Sequence, residues 1–317
     1  MNNASSTTPS LAVGSPVRAN QAQPALRIEK TGYRDWAEAY RCTMGDVELT
    51  VVASVGPRIL SLRFSGGENL LHEDVADLRV GEWRLYGGHR FTTAPESPAS
   101  YVPDNAPCRV TEEDGGLSIV QPNAPNGLEK ALRVKAGPGG SGFELAHVLR
   151  NTGRQPWRGA PWAITGFGAT GRVVVPWGSG TDQWRTQMVR YLVHAGSPYA
   201  DATSRQWQPA ADHFVIQPAG QRGKISLYTD RGWLALLRSD GTFVKHCPAI
   251  APENDCLNGG CNAEVYVGPD YVELETLGPL TTLAPGQEVR HVERWHLLHE
   301  TFQPEAWASI ESHFAHD

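Results

Sequence analysis

From about residue 26 onward, short β-rich runs alternate with Gly, Pro, Asn and Asp punctuation, and this spacing most restricts what the chain can fold into. It predicts an all-β sandwich. Expected strands in the first half are Glu48–Ser54, Arg58–Phe64, Gly116–Gln121, Leu132–Ala136, Phe143–Arg150, Ala160–Thr165 and Arg172–Pro176. The second half contributes His213–Gln217, Lys224–Tyr228, Trp233–Arg238, Phe243–Cys247, Ala263–Val267, Tyr271–Leu277 and Val289–Leu298. Between Thr181 and Ala211 the pattern dissolves into a polar stretch, expected to be a long loop that shapes a site or moves. Near the end, Pro304 opens a segment in which Trp307, Ile310 and Phe314 recur at helical spacing, which predicts a short C-terminal helix docked on the sandwich. Residues 1–25 are rich in Ser, Thr, Asn, Ala and Pro and read as a disordered tail before one domain over 26–317.

All-β sandwiches often run past 200 residues as one domain, so a chain of 317 residues does not require two. A net charge of −6 argues against a nucleic-acid or anionic-membrane partner, because either needs a basic footprint. No run of about 18 apolar residues predicts a transmembrane helix, and the chain reads as cytoplasmic. The cysteines (Cys42, Cys108, Cys247, Cys256 and Cys261) are odd in number and form no CxxC pair, so neither a disulfide framework nor a zinc knuckle is expected. No metal and no cofactor is expected. Ten tryptophans suit stacking on sugar faces but serve cores equally well.

Two segments carry the densest chemistry. On the expected strand Tyr271–Leu277, Glu273 and Glu275 are two residues apart and share a sheet face, with Glu264 on the strand before. Crowded carboxylates raise one another's pKa, which suits acid–base work; solvated glutamates on an exposed face fit equally well. In the second segment, Gly87-Gly88-His89-Arg90 places a titratable ring beside a fixed cation. Arg90 is expected to hold Glu96 or Glu275, or to bind hydroxyls directly; a structural Arg–Glu pair with a spectator His89 is the plainer alternative. Trp162 shares a strand face with Ile164, as stacking platform or core. Gly137–Gly142 and Asn258–Gly260 read as turns rather than phosphate cradles.

Several segments in order resemble a bacterial branch of the galactose mutarotase-like superfamily related to aldose 1-epimerases. They include Gly56-Pro-Arg-Ile-Leu-Ser-Leu62, Gly87-Gly-His-Arg90 with Ala94-Pro-Glu96, and Pro103-Asp-Asn105. Further on come Ala160-Pro-Trp-Ala-Ile-Thr165, Phe243-Val-Lys245, Asn262-Ala-Glu-Val-Tyr266 and Glu273-Leu-Glu-Thr-Leu-Gly-Pro279. The resemblance spans about Ala39 to Leu298. It implies a β-supersandwich with a sugar or oligosaccharide site on one sheet face.

It also implies that Glu275, in the Leu274-Glu-Thr276 context, is the base that takes the anomeric proton. The acid histidine of aldose 1-epimerases is missing from its usual place, where Pro161-Trp162 stands, and His89 is the expected substitute. The same landmarks give Arg58, Arg90, Glu96, Asp104, Asn105, Trp162, Lys245, Glu264 and Glu273 as expected sugar contacts. The leading expectation is interconversion of sugar anomers. The alternatives are a non-catalytic carbohydrate-binding protein, and a glycoside hydrolase or lyase working through a carboxylate pair.

Overall fold

The computed structural model describes residues 25–121, 126–180, 186–194, 197–198, 201–248 and 256–314. Two large antiparallel sheets face one another across a shared apolar core. Among the described residues the first sheet has 11 strands. Its centre runs Arg58–Phe64, His89–Ala94, Trp157–Gly168, Tyr271–Leu277, Ala263–Val267 and Gly223–Leu227. The second has 10 strands, centred on Trp233–Arg238, Gly241–His246, Glu288–Leu298, Phe143–Asn151 and Leu128–Ala136.

Period-two alternation explains how the sheets meet. Val272 and Leu274 point inward to join Phe167, Phe243, Leu145 and Trp295 in the core, while Glu273 and Glu275 point outward. The outward residues are buried too, because loops cover that face of the first sheet. The expected C-terminal helix is present as Trp307–Phe314, entered through a tight turn at Pro304–Ala306. Ile310 and Phe314 pack with Trp233, Val174 and Val244 on the outer face of the second sheet.

Arg58–Phe64, Arg172–Pro176, Trp233–Arg238, Ala263–Val267 and Tyr271–Leu277 fall where the sequence puts them. Arg27–Tyr33, Trp36–Met44 and His89–Ala94 are strands the sequence reading missed. The described part of the expected 181–211 loop contains the short edge strands Val189–Tyr191 and Trp207–Pro209. Residues 1–24 of the expected tail lie outside the described residues. None of the helices among the described residues is long and apolar enough to cross a membrane.

Candidate functional site

Strand register assembles a polar floor on the outward face of the first sheet. Arg90 pairs with Ile164, Ile164 with Glu275, and Glu275 with Glu264. In the neighbouring row Gly166 pairs with Glu273, Glu273 with Tyr266, and Tyr266 with Lys224. Gly166 contributes no side chain, and His72 leans over the space this leaves: its amide donates to the Gly166 carbonyl at 2.8 Å. The excursion through Glu73–Leu85 forms a wall above this floor. Together they enclose a cavity of about 430 Å³, within the size range of small-molecule sites. Arg90, Trp162, Lys224 and Glu273 line it from the floor; His72, Trp83, Glu96, Tyr101 and Tyr271 line it from the sides.

The floor is a network of paired charges. Arg90 holds Glu273 at 2.7 Å, not Glu96 or Glu275 as expected, and its guanidinium lies 5.6 Å from the Trp83 ring. Lys224 Nζ lies 2.9 Å from Glu275, 3.0 Å from Glu264 and 3.9 Å from Glu96, and 4.3 Å from the Trp162 ring. Burial disfavours the Lys224 ammonium, but the three carboxylates outweigh it and raise its pKa. Glu275 is fully buried and does not itself line the cavity; it touches it through Trp162 and Lys224, with its Oε2 accepting from Trp162 Nε1 at 2.7 Å as well as from Lys224. Its Oε1 has no hydrogen-bond partner among the described residues. Burial, helped by Glu264 and Glu273 and opposed by Lys224, pushes the Glu275 carboxyl up to about 8. The Tyr101 hydroxyl donates to Glu96, and burial holds His72 below its ordinary value.

Other expected contacts lie elsewhere. Arg58 and Asp104 form a buried pair at 2.7 Å, and Lys130 reaches the other Asp104 oxygen at 3.0 Å. Burial opposes the charge on Asp104, yet Arg58 and Lys130 hold its carboxyl well below the usual carboxylate range. Arg58 also donates to the Arg84 and Leu85 carbonyls, and Asn105 to the Glu82 carbonyl. These three residues brace the cavity wall from behind; none of them lines the cavity.

His89 and Lys245 point into the space between the sheets. His147 Nδ1 donates to the His291 carbonyl at 3.0 Å, so its Nε2 accepts from His89 Nε2 at 2.8 Å. His89 Nδ1 then accepts from Thr165 Oγ1 at 2.9 Å, and Thr165 accepts from Lys245 Nζ at 2.7 Å. Lys245 also pairs with Glu293 at 3.0 Å, both fully buried. His89, His147 and Glu293 have ligand atoms within 4.8 Å of one another, the spacing of a metal site. The imidazoles, however, meet across a direct hydrogen bond, and Lys245 already supplies a cation to Glu293. The group is an interior polar network that joins the sheets.

Lys224 and His72 are two of the cavity residues not expected from the sequence; Trp83, Tyr101, Tyr266 and Tyr271 are others. A lone lysine in the otherwise uncharged strand Gly223–Leu227 was the available signal, since a buried lysine needs a carboxylate partner. His72 lies outside every strand expected from the sequence and offered no such sign.

Neither a family model nor a curated protein sequence matches the chain. Solved structures do. A galactose mutarotase-like protein from Clostridium acetobutylicum superposes with a TM-score of 0.53 at 10% identity, covering 88% of this chain and 99% of that one. A provisionally named aldose 1-epimerase from Escherichia coli K12 gives 0.51 at 12% identity, covering 86% and 100%. A provisionally named mutarotase from Salmonella typhimurium gives 0.54 at 12% identity, covering 89% and 96%. The chain therefore has the galactose mutarotase-like fold. At such identities the likeness extends to the fold alone.

Proposed function

We propose that the cavity binds a carbohydrate and that the protein interconverts sugar anomers as an aldose 1-epimerase does. Glu275 takes the proton of the anomeric hydroxyl. One observation carries this reading: Glu275 is a buried carboxylate with one oxygen fixed by Lys224 and Trp162 and the other without a partner among the described residues. In its ionised form that oxygen accepts the hydroxyl hydrogen; with the carboxyl pushed up to about 8 the ionised form is the minority at neutral pH, so exchange should rise with pH as Glu275 ionises. His72, the histidine among the cavity-lining residues, takes the acid's place that the sequence offered to His89, and protonates the ring oxygen. The C1–O5 bond opens, C1–C2 rotates, and as O5 closes on the other carbonyl face its proton returns to His72 and Glu275 returns its proton to O1. Arg90 and Glu273 bind hydroxyls, and Trp83 and Trp162 offer apolar faces to the ring.

A second reading is sugar binding without turnover. It is favoured by His72, which burial holds below its ordinary pKa, so that little of it is protonated at neutral pH. The carboxylate-pair reading loses support, since Glu264 and Glu275 both clasp Lys224, which occupies the space between them. NMR exchange spectroscopy on a panel of hexoses separates the first two. The epimerase reading expects anomer exchange faster than in buffer. Saturable binding without faster exchange, lost in Trp162→Ala, assigns the cavity to recognition alone.

A further inference from the structure

Among the described residues, the exposed large apolar side chains are Val75, Leu78, Val80 and Tyr191. Three of the four sit on one short segment, with Val75 85% exposed, Leu78 48% and Val80 50%. The same three line the cavity that contains Arg90, Glu273 and Lys224. Scattered single apolar residues on a surface are ordinary, but a cluster at the rim of a cavity floored by paired charges is not.

The segment is held in place. Leu78 N donates to Asp74 Oδ2 at 2.8 Å, and Leu85 N donates to the Leu78 carbonyl at 3.0 Å. Beyond it a short ribbon pairs Arg79–Val80 with Trp83–Arg84, and the buried Arg58 clamps the Arg84 and Leu85 carbonyls at 3.2 Å. The backbone thus fixes an apolar lip on which Val75, Leu78 and Val80 are exposed.

We propose that the ligand is a saccharide carrying an apolar substituent, its sugar ring on the polar floor and its acyl, alkyl or aryl group along the lip. This rests on the carbohydrate reading above and narrows its substrate class. The occupant follows from continuity: floor and lip line one cavity, so a molecule that reaches Arg90 and Glu273 has the lip as its immediate neighbour. The anomeric carbon stays free, as proton transfer by Glu275 requires, so the substituent sits on another hydroxyl. A bare hexose would cover the floor and leave the lip wet; burying several methylenes there adds affinity.

The experiment is calorimetric titration of D-galactose, D-glucose and their hexanoyl monoesters, each non-anomeric hydroxyl esterified in turn. Wild type is compared with Val75→Ser/Leu78→Ser/Val80→Ser, whose changes are at the surface and leave the core intact. At least one ester should bind about tenfold or more tighter than its parent sugar. The triple substitution should remove that gain, lowering ester affinity about tenfold or more while parent affinity changes by much less. No gain for any ester, or a gain that survives the triple substitution, overturns the proposal while the parent sugar's binding keeps the carbohydrate reading. If neither parents nor esters bind, both fall together. Sedimentation of wild type as a dimer that the triple substitution makes monomeric assigns the lip to a second copy of this chain, and overturns the proposal as well.

Discussion

Lys224 Nζ stands 2.9 Å from Glu275 and 3.0 Å from Glu264, so one buried ammonium serves two carboxylates that face each other across paired strands. Removing the cation leaves both buried acids without their counter-charge. Lys224→Met is expected to cost about 3–5 kcal/mol of stability, the usual result of breaking a buried pair from one side. Urea denaturation measures it. A loss under about 1 kcal/mol would mean that the floor is wetter than its burial indicates.

The pH dependence of stability follows from Glu275. Its folded-state pKa, about 8, lies above the 4.5 of a free glutamate, so the folded protein holds this proton more tightly than the unfolded chain. The stabilisation is full below about 4.5 and is lost as pH rises through about 8, at up to about 1.4 kcal/mol per pH unit. Glu275→Gln cannot ionise and lacks this loss. The stability difference between the variant and wild type should therefore grow in the variant's favour from pH 5 to pH 8. A difference that is flat across that range contradicts the assignment.

Asp104 behaves in the opposite sense. Its carboxyl is held down by Arg58 and Lys130, so its contribution is present above the unfolded value near 3.9 and disappears as pH falls further. Asp104→Ala leaves two cations unpaired and should cost about 3–5 kcal/mol at pH 7, less in acid. Because Arg58 clamps the wall at Arg84 and Leu85, the variant should also weaken sugar binding without touching the floor. Thermal melts at pH 3 and pH 7 check the first outcome, and titration with sugar checks the second.

Between the sheets, Lys245 and Glu293 form a fully buried pair at 3.0 Å. Lys245→Met alone should destabilise by about 3–5 kcal/mol, whereas Lys245→Met combined with Glu293→Gln should recover part of that loss. Additive losses in this double-mutant cycle would show that the two groups do not depend on each other.

How much was legible depends on which rule a residue obeys. Tyr271–Leu277 was readable as a strand because turn residues bound it, and Glu273 and Glu275 share a face by period two alone. The same rule puts the adjacent residues His89 and Arg90 on opposite faces, and so forbids the single pole that their adjacency suggested: Arg90 reaches the cavity while His89 meets His147 in the interior. Arg27–Tyr33 was missed because it is an edge strand with most side chains in water, which erases the apolar alternation. Lys224 carried a local signal, a lone lysine in an apolar strand, but not the identity of its partners. Its role exists only once register sets its strand beside Ala263–Val267, and local sequence does not specify register between strands some 40 residues apart.

The central claim is that Glu275 moves the anomeric proton, and exchange spectroscopy on Glu275→Gln tests it most directly. The assay follows interconversion of the α and β anomers of a sugar that wild type binds, corrected for the spontaneous rate. Glutamine keeps the shape of the side chain and can still accept from Trp162 and Lys224, but it cannot take a proton. The exchange rate is predicted to fall by about 10²- to 10⁴-fold, with sugar affinity and far-ultraviolet circular dichroism close to wild type. Exchange at the wild-type rate in Glu275→Gln would contradict the account and remove Glu275 from the chemistry.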